Sequence, residues 1–354
     1  MPFTPLHDRL LAAGGRIAEY LGAETAVSFG DSRREYVELR SGAGIYDLGW
    51  RAKIVVTGSD RVRWMNGMVT NNIRDLAIGH GNYNFLLNAQ GRILADLYIY
   101  NRGDYLLIDT ALWQAPKVLE VMNKFIIMDD VELTDVNEKL TSLAVQGPRA
   151  REVLRDAGFS FADAGPMQVQ DITWNDTGLS ITRMASDISQ TYEIWLSPAH
   201  AGPLWDAVVQ SGAKPVGTDA LEMFRLAAGI PQYGRDISER YLPQETDQEQ
   251  ALHFSKGCYI GQEIVERIHA RAILHRKLTG FSVDGPPPAP GSKIQQEGKE
   301  VGEVTSAIAI PGNDGERTVA LGYLRTEARN HGADLHVDGS HATALPLPYK
   351  QLAA

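Results

Sequence analysis

Along this chain the spacing of apolar positions switches repeatedly between about two and about 3.6 residues, which predicts short strands and helices in alternation. Lys53–Thr57, centred on Val55 and Val56, reads as a strand. Ser59 then caps a helix in which Val62, Met65 and Val69 share one face. Residues 83–110 read as an antiparallel meander. Its strands are Phe85–Leu87, Ile93–Tyr100 and Tyr105–Ile108, with turns at Ala89–Arg92 and Asn101–Asp104. A helix over Pro116–Phe125 follows. Strand, helix, hairpin, helix and strand in this order suggest a split βαβ, ferredoxin-like sheet with its helices on one face.

The pattern recurs. Ser142–Gln146 is strand-like, Pro148 opens a helix that Gly158 ends, and strands follow near Ile172–Trp174, Leu179–Arg183 and Tyr192–Leu196. Pro198 starts a helix that stops at Gly212, and Thr218 caps another with Leu221, Phe224 and Ala228 inward. This is a second α+β unit, its opening segments supplied by residues 1–50. The run Asp284-Gly-Pro-Pro-Pro-Ala-Pro-Gly291 can continue neither a helix nor a central strand. Short β-rich runs lie beyond it, as in a small antiparallel barrel. The expected organisation is therefore α+β in three parts: 1–50 with 141–275, 51–140, and a β-barrel over 276–354.

Composition narrows the classes of function. A chain of 354 residues is too long for one core. Its net charge of −10 argues against bulk affinity for nucleic acid or anionic membrane. The start has no basic segment followed by an apolar stretch, and no run of about 18 apolar residues occurs, so neither a signal peptide nor a membrane span is expected. The single cysteine, Cys258, excludes an intrachain disulfide framework and a Cys-based metal site made by one copy, and fits a reducing cytoplasm. His269 and His275 are poorly spaced for metal ligands on one helix face, so no metal site is expected.

Lys256-Gly-Cys-Tyr-Ile-Gly-Gln-Glu263 carries the most specific signal. Two glycines flank the cysteine, and an amphipathic helix starts near Gln262. Cys258 thus precedes a helix N-terminus, where free amides, the helix dipole and Lys256 favour an anion and so a thiolate. The plainer reading is an inert thiol in a turn. The octapeptide resembles the K-G-C-Y-x-G-Q-E signature of the YgfZ family of folate-binding proteins. Leu242–Thr246 and the basic run Arg267, His269, Arg271, His275, Arg276 and Lys277 resemble its flanks. More widely, Gly42–Asp47, Leu226–Ile230 with Tyr233-Gly234, Val301–Ser306 and Ala320–Tyr323 are similar to segments of the glycine-cleavage T-protein (GcvT) superfamily, which includes the aminomethyltransferases.

The resemblance implies a T-protein-like cloverleaf, two α+β lobes and a C-terminal β-barrel around a central hole that holds tetrahydrofolate. It aligns Glu193, with Tyr192 before it, to a pterin-gripping carboxylate, Arg225 to the arginine that meets the folate tail, and Tyr83 to an aromatic wall. The ordinary alternatives are a solvent-facing strand residue for Glu193, an ion pair with Glu222 for Arg225, and sheet packing for Tyr83.

Two segments depart from the enzymes. Their G-G-hydrophobic-hydrophobic-D-D-L segment becomes Gly91-Arg-Ile-Leu-Ala-Asp-Leu97, placing Ala95 where the first Asp stands, and Asp96 on the opposite strand face unless a bulge re-aims it. Their D-V-S-H becomes Asp47-Leu-Gly-Trp50. The leading expectation is therefore a tetrahydrofolate-binding accessory protein for iron–sulfur cluster assembly or repair, with iron–sulfur enzymes, including those that thiolate tRNA, or cluster-assembly proteins as partners. Its chemistry would be carried by Cys258 and Lys256, and its folate held by Glu193, Arg225, Tyr83, Asp96 and Tyr192. The alternatives are a folate-dependent aminomethyltransferase or demethylase that uses Asp96, and a non-catalytic folate sensor or scaffold.

Overall fold

The computed structural model describes residues 4–185, 189–271, 274–312, 315–329 and 334–347. In chain order the elements are α1 (His7–Ala12), β1 (Arg16–Tyr20), β2 (Ala23–Ser28), α2 (Ser32–Ser41), β3 (Gly44–Asp47), β4 (Arg51–Thr57), α3 (Arg61–Met68), β5 (Gly81–Leu87), β6 (Ile93–Asn101), β7 (Leu106–Ala111), α4 (Ala115–Asn123), β8 (Glu132–Asp135) and β9 (Thr141–Gln146). There follow α5 (Ala150–Asp156), β10 (Val169–Trp174), β11 (Thr177–Arg183), β12 (Thr191–Leu196), α6 (Pro198–Gln210), β13 (Lys214–Pro215), α7 (Thr218–Ala227) and α8 (Gln262–Arg271). The last strands are β14 (Arg276–Val283), β15 (Lys293–Gln296), β16 (Lys299–Gly312), β17 (Gly315–Arg325), β18 (Leu335–Val337) and β19 (Ser340–Leu345).

The chain forms two compact units, Met1–Asn84 with Asp96–Leu221, and Phe85–Ala95 with Glu222–Ala354. The first holds a six-stranded sheet ordered β10-β11-β12-β9-β3-β13 and most of a five-stranded sheet ordered β5-β6-β7-β4-β8. β3 comes from the first fifty residues and pairs antiparallel with β9, so the recurring α+β pattern is completed from the start of the chain. The second unit holds a closed six-stranded barrel, β14-β17-β16-β15-β18-β19. Its interior is apolar, with Phe281, Ile294, Val304, Leu324 and Leu335. The expected α+β class with a C-terminal antiparallel barrel is what the fold shows.

In the six-stranded sheet, alternation sorts side chains strictly. Leu143, Val145, Ile181, Ile194 and Leu196 point into a core that also contains Leu204, Trp205 and Val153 of the covering helices α6 and α5. The other face carries Tyr46, Ser142, Gln146, Thr182, Glu193 and Trp195. β4 of the five-stranded sheet alternates likewise: Ala52, Ile54 and Val56 are fully buried, and Arg51 and Lys53 lie on the opposite face. The two polar faces meet within the first unit, joined by Lys53–Glu193 and by the edge-to-face pair Tyr100–Trp195. Backbone bonds Gly81 N to Met167 O and Val169 N to Gly79 O strap the two sheets together.

One local expectation changes. Ser59 does not cap α3; its amide and hydroxyl both donate to Asp130 Oδ2, and Asp60 takes the N-cap position without a side-chain capping bond. The nearby carboxylate of Asp130 is a stronger acceptor for Ser59 than the helix is a donor.

Candidate functional site

The layer between the two sheets of the first unit concentrates buried charge. Lys53 is 0% exposed, and its Nζ lies 2.9 Å from Glu193 Oε1, 3.0 Å from Asp109 Oδ2 and 3.3 Å from Ser142 Oγ. Arg51 Nε donates to Asp109 Oδ1 at 2.8 Å. Such charges are tolerated in an interior only when paired and hydrogen-bonded. Glu193 Oε1 also accepts from Trp195 Nε1 at 2.8 Å, so both its lone pairs are used. Glu193 is thus a buried, ion-paired residue and not the solvent-facing strand residue that was the alternative.

Asp96 differs from these carboxylates. Tyr83 Oη donates to its Oδ2 at 3.0 Å and Gln114 Nε2 to its Oδ1 at 2.9 Å, and it takes part in no ion pair among the described residues. Alternation along β6 puts Ala95 on the fully buried apolar side with Ile93 and Leu97, and Asp96 on the half-buried side with Leu94 and Tyr98. Asp96 therefore meets Tyr83 without any bulge to re-aim it. The Ala95 face carries no acid, and Asp96 lies on the opposite face, as alternation predicts. The Tyr83 and Tyr98 rings pack tilted at 42° with centroids 5.0 Å apart, and the Arg51 guanidinium lies 5.5 Å from the Tyr98 ring. Burial, reinforced by the Asp96 charge, holds the Tyr83 hydroxyl well above its usual pKa; burial likewise pushes Tyr98 up to about 12. Both remain hydrogen-bond donors at any physiological pH.

Two further polar atoms on the Glu193 face, Gln146 Nε2 and Thr182 Oγ1, are buried with no hydrogen-bond partner among the described residues. Sequence reading missed both, along with Lys53 and Arg51. The available signal was alternation: polar residues on the one face of β9, β11 and β4 that a two-sheet interior ought to fill with apolar side chains. Tyr192, by contrast, lies on the opposite face from Glu193. Its ring packs in the apolar core edge-to-face with Phe161.

The second unit holds the other predicted residues. Arg225 is committed internally. Nε and Nη2 bind Glu222, Nη1 donates to Asp236 Oδ2 and to the Ile230 carbonyl at 2.6 Å each, and Nη2 reaches Ser306 Oγ at 3.4 Å. The ion pair with Glu222 is the observed arrangement, and these contacts engage the donors a folate carboxylate would need.

Cys258 is exposed, while Lys256 is buried with its ammonium 5.0 Å from the Tyr259 ring centre. Gly257 and Gly261 both have positive φ. A Cβ on Gly261 would lie 2.6 Å from Asn88 O, so the second glycine of the octapeptide is required by close approach to the β5–β6 turn. α8 starts at Gln262 as expected, and Gln262 Oε1 accepts from the Tyr259 amide at 3.3 Å. The basic run is less free than its sequence suggests. Arg276 pairs with Glu245 and lies over Tyr241 and Tyr323, Lys277 pairs with Asp247, and His269 stacks on Phe254. The Arg271 side chain lies outside the described residues.

Two sheets joined through a polar layer in the first unit and a closed six-stranded barrel in the second make up the fold. Residues 6–256 match the GCVT N-terminal domain and residues 276–347 match the glycine cleavage T-protein C-terminal barrel domain; the chain belongs to the glycine-cleavage T-protein family. Curated relatives include an aminomethyltransferase of Picosynechococcus sp., 28% identical over 95% of this chain and 93% of the relative. Another is an aminomethyltransferase of Thermus thermophilus, 28% identical over 99% of this chain and 100% of the relative. The crystal structure of the glycine cleavage system aminomethyltransferase T from Bartonella henselae superimposes with a TM-score of 0.89 at 24% identity, covering 99% of this chain and 98% of that one, and shares the fold. No helix among the described residues is long and apolar enough to cross a membrane.

Proposed function

We propose that the chain binds tetrahydrofolate in the polar layer of its first unit and performs one-carbon chemistry on an amine there, as a folate-dependent aminomethyltransferase or demethylase. The observation that carries this reading is Asp96, a half-buried carboxylate held by Tyr83 and Gln114 and outside any ion pair among the described residues. The residues fit the cofactor in kind. Gln146 Nε2 and Thr182 Oγ1 are buried polar atoms without hydrogen-bond partners among the described residues, and Tyr83, Tyr98 and Trp195 supply aromatic surface in the same layer. Bound tetrahydrofolate supplies a ring nitrogen that accepts the one-carbon unit. Asp96 stabilises positive charge on the amine as the carbon is transferred, and Tyr83 and Gln114 fix the carboxylate's orientation so that little reorganisation is needed. The names of the relatives favour the same reading.

Calorimetric titration with tetrahydrofolate tests the binding. Turnover of an aminomethyl donor, lost by about 100-fold or more in Asp96→Asn, tests the chemistry. Binding without turnover in the wild type would refute the transferase part alone.

A second reading is favoured by one observation, the exposed thiol of Cys258 within an octapeptide resembling the YgfZ signature. It makes the chain a tetrahydrofolate-dependent accessory protein for iron–sulfur cluster assembly or repair, with cluster enzymes as clients. A strain carrying Cys258→Ala should then lose iron–sulfur enzyme activities while the purified variant still binds tetrahydrofolate. Normal cluster-enzyme activities in that strain would remove this role.

A further inference from the structure

We propose that the second unit carries a binding site for a small aromatic amine, in a cavity between α8 and the segment Pro243–Phe254, with Glu249 as the group that meets the ammonium. The site shares no residue with the tetrahydrofolate reading above and does not depend on it.

The cavity holds about 450 Å3, within the range of small-molecule sites. Pro243, Leu252, Phe254, Ile268 and Leu274 give it apolar walls. Local bonds build those walls from the chain itself. Gln244 Nε2 donates to the Val265 carbonyl at 2.7 Å and ties the turn Pro243–Thr246 to α8. Glu245 accepts from the Leu242 amide and from Arg276 Nε, at 2.9 Å each, which fixes the same turn against β14. Asp247, at φ +59°, then redirects the chain toward Gln248 and Glu249, and its carboxylate pairs with Lys277. Glu249, Phe254 and His269 are all solvent-exposed, so the cavity opens to the surface beside them.

Two features select the ligand. Phe254 is 38% exposed, and its ring lies 3.8 Å from that of His269 with 14° between the planes. This stacked pair is a flat surface at the mouth, suited to a planar ring. The second feature is charge. The lining contains one lysine and one glutamate. Lys277 is neutralised by Asp247, whereas Glu249 makes no hydrogen bond or ion pair through its carboxylate among the described residues. The unmatched charge is therefore negative and calls for a cation, which the face of Phe254 also attracts. An aliphatic amine would leave the stacked rings unused, and an aromatic acid would be repelled by Glu249.

The test is calorimetric titration of the full chain with tryptamine and with the alcohol and acid that share its ring, tryptophol and indole-3-propionate. Tryptamine is expected to bind with a Kd of about 0.1–1 mM, ordinary for a ligand of its size. It should bind about 3- to 10-fold more tightly than tryptophol, and the acid should bind most weakly. Glu249→Gln should bring tryptamine to within about two-fold of tryptophol. General attraction of a cation to a chain of net charge −10 would survive that substitution, so the variant separates the two causes. Phe254→Leu keeps apolar bulk and removes the ring, and should weaken all three indoles by about 3- to 10-fold without changing their order. Should circular dichroism show either variant unfolded, the other decides. A wild type that does not bind tryptamine below about 10 mM, or that binds the three indoles equally, overturns the site. Binding that neither substitution alters places the amine elsewhere and overturns it too. Titration with tetrahydrofolate, which both variants should leave unchanged, reports on the folate reading separately.

Discussion

Replacing Lys53 by Met probes the feature on which the polar layer depends. The ammonium is fully buried between Glu193 and Asp109. Met fills most of the space of the aliphatic stem, so little cavity forms and the change is chiefly electrostatic. Asp109 keeps the Arg51 guanidinium at 2.8 Å, but Glu193 keeps only the Trp195 indole. Removing one partner of a buried pair costs about 3–5 kcal/mol, since the other charge is left without compensation. Retention of Arg51 beside Asp109 puts the expected loss near the lower end, about 3 kcal/mol. For a unit of this size that corresponds to a fall in Tm of roughly 6–12 °C. The double variant Lys53→Met/Glu193→Gln removes the stranded charge and should recover about 1–2 kcal/mol of it. Urea unfolding followed by circular dichroism, with an unchanged m-value, measures both. A single variant costing under about 1 kcal/mol, or a double variant costing the sum of the two singles, would refute the reasoning.

Four further outcomes are expected. Asp47 is buried, and burial raises its pKa despite hydrogen bonds from Thr25, Thr4 and the Gly49 and Leu48 amides. A raised folded-state pKa contributes stability that is complete below the unfolded-state value and is lost as pH rises through the folded one. Asp47→Asn should therefore gain on the wild type between pH 4 and pH 7 in denaturant melts; a gap constant with pH would count against this. Gly261→Ala, at φ +80° with Asn88 O in the way, should destabilise by about 2 kcal/mol or more in the same melts. Cys258→Ala should leave stability within about 0.5 kcal/mol, and the native wild type should react with one equivalent of a bulky disulfide reagent. Arg225→Met should cost about 3 kcal/mol by stranding Asp236, which is 0% exposed, whether or not folate is bound.

Most of the elements were legible in the chain. Pro198 and Gly212 bracket α6, the Pro-rich run precedes β15, and the octapeptide leads into α8 at Gln262. These follow from local rules that need no partner: proline fixes φ, glycine permits positive φ, and apolar spacing selects a period. The lone cysteine and the family resemblance were equally present in the order of residues. What local rules could not supply was which face of a strand meets what. Tyr192 and Glu193 are neighbours in sequence, yet one enters the helix-covered core and the other an ion-paired layer. Ala95 and Asp96 divide the same way, the methyl group entering the apolar side and the carboxylate turning toward Tyr83. Lys53, which sequence alone makes an ordinary strand lysine, becomes the counter-ion of two carboxylates more than fifty residues away. Charge in an interior is tolerated only beside its opposite, and that adjacency is created when two sheets close on each other, not when either strand forms.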